Sequence, residues 1–291
     1  MLFQRILTAL VLAAVAISAI FLLPILYFYL FIGIIVLIAG WEWTELSGIH
    51  TGIGKILFTL LLIVPMLGIT FWTQILETLS VIFEYPEIKK YSGILEWLVI
   101  GPTLFWVFMM VLIRNQSEAL LRIEIKKRYM LFLGLFVLFS AWMFLTRLRA
   151  FYGPEAVMYF LALIWIADIS AYFTGMKWGK DKLAPTISPG KTVEGMYGAL
   201  LSALVMGLIL VLTYGYPFLI AADFILLSIL TVLVSIYGDL FFSLVKRRNG
   251  VKDSGTLLPG HGGVLDRIDS VIAAIPFYYA GVILIGRSVF S

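Results

Sequence analysis

The sequence predicts an all-α fold, a polytopic integral membrane bundle of about nine transmembrane helices, and three observations carry that expectation. Of 291 residues, 62% are hydrophobic and 13% charged, with a mean hydropathy of +1.05; a soluble domain has ~45–50% and ~25%. The apolar residues gather into nine stretches of about the ~20 residues that a helix needs to cross a ~30 Å hydrocarbon core. The basic residues then fall unequally on the two sides that nine crossings define. A soluble enzyme, a disordered tail and a fibrous repeat are excluded.

The stretches run over residues 6–23, 25–39, 56–72, 93–113, 129–148, 156–175, 195–214, 218–240 and 268–285. Pro24 and the Gly215-Tyr216-Pro217 triplet mark tight hairpins, because proline cannot continue a helix and glycine accepts turn geometry. The second stretch is short. The amino-terminal segment, with Arg5 before its apolar run, also resembles a signal peptide. Pro24 leads directly into another apolar run, which favours a retained span, and cleavage would leave the later topology unchanged. Residues 1–155 therefore hold about five amino-terminal spans. Residues 156–291 form a carboxyl-terminal transmembrane region where the chemistry-bearing residues concentrate.

Of the 21 Lys and Arg, 16 fall on one face, from Arg5 and Lys55 through the 114–128 and 177–191 loops to Lys246, Lys252 and Arg267. Lys89, Lys90, Arg147, Arg149 and Arg287 make up the other face. The amino terminus and the long basic loops are expected in the cytoplasm, and the carboxyl terminus on the opposite side. Small residues recur at fourfold spacing at Ala167, Ala171 and Gly175, and at Ala199, Ala203 and Gly207. Such stripes let helices approach closely, either within the bundle or at a dimer seam.

Cysteine is absent, which excludes disulfides, iron–sulfur clusters and thiolate nucleophiles. His50 and His261 are the only imidazoles, so the remaining hard ligands are carboxylates, which suit magnesium. An ionisable side chain inside a span costs ~2.5–3.5 kcal/mol on insertion scales and needs a partner or a wet cavity. Asp168 and Asp239 meet that description; Asp223 lies nearer an outer end, where water reaches it. On a continuing helix, Asp239, Ser243 and Lys246 share one face. Downstream come Arg247, Lys252-Asp253, His261-Gly262-Gly263 and Asp266-Arg267-Ile268-Asp269. Glycines expose successive backbone N–H groups that can cradle an anion, and the ensemble suits a polyphosphate–metal site.

A second polar loop precedes the seventh stretch, with Ser188-Pro189-Gly190-Lys191-Thr192 at its end. Gly190-Lys191-Thr192 matches the end of a Walker loop, but the full pattern needs glycine where Pro185 stands, and no soluble strand precedes it. What remains is a lysine- and glycine-bearing loop entering a helix whose amino terminus favours anions.

The run 243–269, with Ser243-x-x-Lys246-Arg247, Lys252-Asp253, His261-Gly262-Gly263 and Asp266-Arg267-x-Asp269, resembles the signature of phosphatidate cytidylyltransferases, also called CDP-diacylglycerol synthases. The stretch from Asp168 to Gly195 and the Trp41-Glu42-Trp43 triplet are similar to bacterial members. The resemblance implies a membrane enzyme, usually a homodimer, that joins CTP and phosphatidate into CDP-diacylglycerol and releases pyrophosphate. It places the site at the cytoplasmic face of a bacterial inner membrane. It implies Mg²⁺ and a monovalent cation such as K⁺ on Asp239 and Asp266, with Lys246 on phosphate. Asp168, Ser188, Lys191 and Thr192 would shape the nucleotide pocket. Ser243, Arg247, Lys252, Asp253, His261, Gly262, Gly263, Arg267 and Asp269 complete the substrate-binding set. No nucleic-acid partner is expected. Two alternatives stay open on the residues alone: an ion-coupled transporter using Asp168 and Asp239, and a membrane kinase that spends CTP on a lipid alcohol.

Overall fold

The protein is described by a computed structural model over residues 2–257 and 262–290; the candidate residue His261 lies outside the described residues. Helices α1 (Leu2–Leu22) and α2 (Ile25–Leu46) flank Pro24, and α3 (Gly52–Thr70) and α4 (Trp72–Ile82) follow. A 3-10 run (Pro86–Gly93) leads into α5 (Ile94–Trp97), α6 (Ile100–Arg122) and α7 (Lys127–Trp178). A hairpin of β1 (Lys182–Ala184) and β2 (Ser188–Thr192) then precedes α8 (Val193–Tyr214), α9 (Phe218–Arg248) and α10 (Leu265–Phe290).

Among the described residues, seven helical segments are long and apolar enough to cross a membrane. Helix α7, at 52 residues, would extend ~78 Å if straight, more than twice the hydrocarbon thickness. It instead folds back at Gly153 (φ 86°, ψ 175°). Phe144 before the break lies 5.4 Å from the ring of Tyr279, and Phe160 after it lies 5.1 Å from Tyr278. Two residues sixteen positions apart thus meet adjacent residues of α10, which only a reversal permits. With α7 taken as two crossings and α1 included, all nine apolar stretches are helical.

The reversal follows from the Gly153-Pro154 dipeptide. A residue before proline is driven to extended ψ, a positive φ there is open only to glycine, and proline is tolerated in the first turn of the returning helix. Gly153→Ala is expected to destabilise the protein by ~1–3 kcal/mol, read as a lower thermal midpoint in detergent.

The short second stretch is the main revision. Helix α2 continues to Leu46, because Ala39, Trp43 and Leu46 keep the helical spacing of a buried face. Trp43 is fully buried and its indole Nε1 donates to the Met130 carbonyl at 2.8 Å. Gly134 makes room: a Cβ there would stand 2.0 Å from that nitrogen. The polar loop before α8 is likewise more ordered than expected. Residues 182–192 form an antiparallel hairpin, with Thr192 capping α8 by accepting from Gly195 N at 3.1 Å.

The chain ends of the helices sort into two groups. At one end Lys127 Nζ donates to Gly48 O (2.9 Å), Arg248 reaches Ile123 O and Arg247 Nε reaches Ile187 O (3.2 Å). At the other, Arg147 approaches Glu96 (3.9 Å) and Arg149 Nε donates to Ile20 O (2.9 Å). These are the groupings that nine alternating crossings require.

Both small-residue stripes are spent inside one chain. Ala167, Ala199 and Ala203 are buried together with Leu163, Val232 and Ile236. A Cβ on Gly195 would meet the Ala171 carbonyl at 2.9 Å, and one on Gly207 would meet the Cα of Ile225 at 3.0 Å. Dispersion at such close contacts replaces the hydrophobic drive that lipid does not supply.

Candidate functional site

Helix α9 carries two sets of side chains past residue 238. Phe241 and Phe242 enter an aromatic cluster in which Trp43 lies 5.9 Å from Phe242 and Trp106 lies 5.2 Å from Phe241. Asp239, Ser243 and Lys246, at i, i+4 and i+7, project from another face. Because α9 runs unbroken to Arg248, the expected shared face exists: Ser243 Oγ donates to Asp239 Oδ1 at 3.3 Å. The aromatic packing anchors this part of α9 and so aims its polar face.

Helix α10 opposes it. Asp266 stands in the first turn and Asp269 one turn later. Asp266 Oδ1 accepts from Lys246 Nζ at 2.7 Å, and its Oδ2 accepts from Ser254 N (2.8 Å) and Gly263 N (3.0 Å). Asp269 is buried, with Oδ1 accepting from Ser270 N at 2.8 Å. The hairpin closes the third side: Lys191 Nζ lies 2.6 Å from Asp239 Oδ2 and donates to Ile236 O at 3.3 Å.

The two ion pairs differ in access. The Lys246–Asp266 side chains are 11% and 6% exposed, whereas those of Lys191–Asp239 are 27% and 33% exposed. The first pair is closed and the second opens on a cleft. Asp168 lines that cleft from the second half of α7, exposed and within electrostatic range of Lys191 and Asp239. Asp269 in turn senses Asp239, Lys246 and Lys191. Lys191 and Lys246 thus stand among the carboxylates of Asp168, Asp239, Asp266 and Asp269.

The other candidate residues take distinct places. Arg247 braces the hairpin to α9 through Ile187 O and also donates from Nη1 to Val251 O at 3.4 Å. The Thr192 hydroxyl accepts at the α8 amino terminus, and Ser188 begins β2 opposite Ala184. Lys252, Asp253 and Arg267 are exposed. Gly262 has φ +79°, and a Cβ there would stand 2.8 Å from Asp266 Oδ2, so the glycine is needed for both conformation and space.

Two residues outside the candidate set belong to this site. Glu42 of α2 and Ser254 of the loop are buried and hydrogen-bonded to one another, with Ser254 Oγ donating to Glu42 Oε2 at 3.0 Å. Glu42 stood out only as part of the Trp41-Glu42-Trp43 resemblance and without a role, because its apolar run ends at residue 39. The available signal was its helical register with Ala39 and Leu46, which puts an acid on a core-facing stripe.

Among the described residues, no three acidic or histidine side chains converge as a ready-made metal cage. Magnesium does not require one, since it commonly binds through one or two carboxylates, waters and substrate phosphates. Asp239 and Asp266 supply hard oxygen donors, and a lysine ammonium group already stands as a cation against each. The donor set fits.

The sequence model of the Cytidylyltransferase family matches residues 3–285. The phosphatidate cytidylyltransferase of Pseudomonas aeruginosa is 38% identical over 281 residues, covering 96% of this chain and 96% of its own length. That of Haemophilus influenzae is 34% identical over 289 residues, covering 96% and 97% respectively. A Bacillus subtilis protein of the same name is 45% identical over 131 residues, 44% of this chain and 47% of its own. The family match spans the helices that build the cleft as well as the signature loop, and by that measure this multi-pass membrane chain belongs to the cytidylyltransferase family.

Proposed function

We propose that the chain is a phosphatidate cytidylyltransferase, converting CTP and phosphatidate into CDP-diacylglycerol and pyrophosphate. Membership of the cytidylyltransferase family carries the reading. The cleft of lysines and aspartates between α7, α9, α10 and the β-hairpin gives it a physical place. Neither a transporter nor a CTP-dependent lipid kinase is favoured by that membership.

In the reaction an oxygen of the lipid phosphate attacks the α-phosphorus of CTP. The new P–O bond forms as the bond from the α-phosphorus to the bridging oxygen breaks, and that oxygen leaves with pyrophosphate. The attacking oxygen is already anionic near neutral pH, so no strong base is needed. The obstacle is repulsion between polyanions, ~4 kcal/mol for each unit pair at ~4 Å and an effective dielectric of ~20. Lys191 and Lys246 would offset it, with Arg247 and Lys252 as further positive charge. Asp239 and Asp266 would hold Mg²⁺, with K⁺ as a second cation, supplying charge neutralisation of the triphosphate and leaving group. Ser243 orients Asp239, and the backbone N–H groups of Ser254 and Gly263 orient Asp266, so the task is positioning and charge stabilisation.

The proposed setting is a bacterial cytoplasmic membrane with the cleft facing the cytoplasm, as the distribution of 16 of the 21 basic residues suggests. Phosphatidate keeps its tails in lipid while CTP arrives from water, and a cleft part-way into the bilayer at a helix mouth suits both. A homodimer is part of the proposal. Its seam would lie elsewhere than the alanine–glycine stripes, whose Ala167, Ala199 and Ala203 are buried within one chain.

The test is purified protein in detergent with CTP, phosphatidate and Mg²⁺, assayed for pyrophosphate and the liponucleotide. Equimolar formation of both is expected, and chelation of the metal should stop it. Release of CDP with a phosphorylated lipid would identify a kinase instead, and solute flux in proteoliposomes without liponucleotide would identify a transporter.

A further inference from the structure

Glu42 lies about two hundred residues from the signature in sequence, yet its carboxylate is built into the loop that carries Asp266. Its Oε1 accepts from Val264 N at 2.9 Å, and its Oε2 accepts from Leu265 N at 2.8 Å and from Ser254 Oγ at 3.0 Å. The residue is 7% exposed. A carboxylate buried to that degree is costly unless its oxygens are hydrogen-bonded, and here both are.

The donors it satisfies are those a helix start leaves over. The first N–H groups of α10 have no partner within the helix, and the positive end of the helix dipole favours an acid there. A local Ser, Thr or Asp is the usual solution. Here the cap comes from α2, which clamps the start of α10 to a distant part of the bundle.

The clamp also reaches Asp266. Ser254 is held from two sides, its Oγ by Glu42 and its N–H by Asp266 Oδ2. Gly263 donates to the same Asp266 oxygen immediately before the two residues that Glu42 binds. Neighbouring glycines are shaped around the acid. A Cβ on Gly263 would lie 2.4 Å from Glu42 Oε2, and one on Gly255 would lie 2.7 Å from Oε1. The second glycine of His261-Gly262-Gly263 is thereby explained by packing against Glu42.

We propose that Glu42 is a positioning residue for cytidylyl transfer: it holds Ser254 and the Gly263–Leu265 backbone so that Asp266 keeps Oδ2 on the loop and Oδ1 on Lys246. The inference rests on the cytidylyltransferase reading of this site.

Glu42→Gln tests it with little change in size. Glutamine turns one oxygen into an NH₂ group, which must face a donor that it cannot accept from. The expected result is a kcat lower by ~10–100-fold, the usual cost of disturbing a partner of a metal-ligating residue. KM for CTP and phosphatidate should stay within about threefold of wild type. Hydrogen–deuterium exchange, read with and without Mg²⁺, should speed up in peptides covering residues 254–257 and 262–266 and remain unchanged elsewhere. Ser254→Ala removes one donor and leaves the others, and should give the same pattern more weakly, so the question stays open to test if Glu42→Gln does not fold.

A kcat within twofold of wild type would make Glu42 a structural brace and overturn the proposal. Exchange accelerated throughout the chain would do the same. Wild-type protein that forms no liponucleotide would instead sink the cytidylyltransferase reading, an outcome the exchange measurement keeps separate.

Discussion

Asp239→Asn is expected to reduce kcat by at least ~10²–10³-fold, the loss typical when a group stabilising transition-state charge is removed, while the protein remains folded. The substitution is nearly isosteric and sits at the open side of the cleft, where the carboxylate meets Lys191 and Ser243. Removing its charge would strip the proposed cation ligand and leave Lys191 without its counter-ion. Asp266→Asn should be as damaging to turnover and somewhat worse for stability. Its two oxygens serve Lys246 and two backbone N–H groups, so an amide leaves at least one donor facing a donor. Size-exclusion profile and thermal midpoint separate the effects: Asp239→Asn should match wild type in both. Full CTP-dependent activity in either purified variant would refute the metal assignment. Wild-type protein stripped of Mg²⁺ should fall to the level of the variants.

A comparable loss is expected from a change that touches no polar group. A Cβ on Gly238 would stand 2.1 Å from the Cβ of Ala273, and both atoms are fixed to helix backbones. Gly238→Ala must therefore push α9 and α10 apart by more than an ångström, next to Asp239 on one helix and one turn beyond Asp269 on the other. Overpacking costs ~1–3 kcal/mol, and misplacement of about 1 Å can cost ~10²-fold in rate. The double variant Gly238→Ala with Ala273→Gly moves the methyl group to the other helix and should recover most of the activity. Wild-type turnover in Gly238→Ala alone would show that the helix spacing is not what aligns the acids.

Much of the fold was legible in the chain because lipid imposes one demand on every span. A segment crossing hydrocarbon must satisfy its backbone internally and be apolar for about twenty residues. The Pro24 and Gly215-Tyr216-Pro217 hairpins were legible for a similarly local reason, since the backbone at those residues admits few conformations, whereas the Gly153-Pro154 reversal went unread. The α9 face of Asp239, Ser243 and Lys246 followed from helical periodicity once the helix continued past the apolar run. Where that run ended early, at Ala39, the same logic failed. Helix α2 keeps going because Trp43 finds a hole over Gly134 and a carbonyl at Met130, contacts made with residues nearly a hundred positions away.

Composition and local pattern by themselves determined the all-helical membrane class, the order of crossings, the charge asymmetry and the polar signature near the carboxyl end. Tertiary structure alone decided which charges face one another. It paired Lys191 with Asp239 and Lys246 with Asp266, spent the Thr192 hydroxyl on a helix cap, and brought Glu42 from the first half of the chain to the start of α10. The reason is physical: propensity and hydropathy act between neighbours in sequence, whereas a hydrogen bond or an ion pair depends on separations of ~3–4 Å that only the packed helices set.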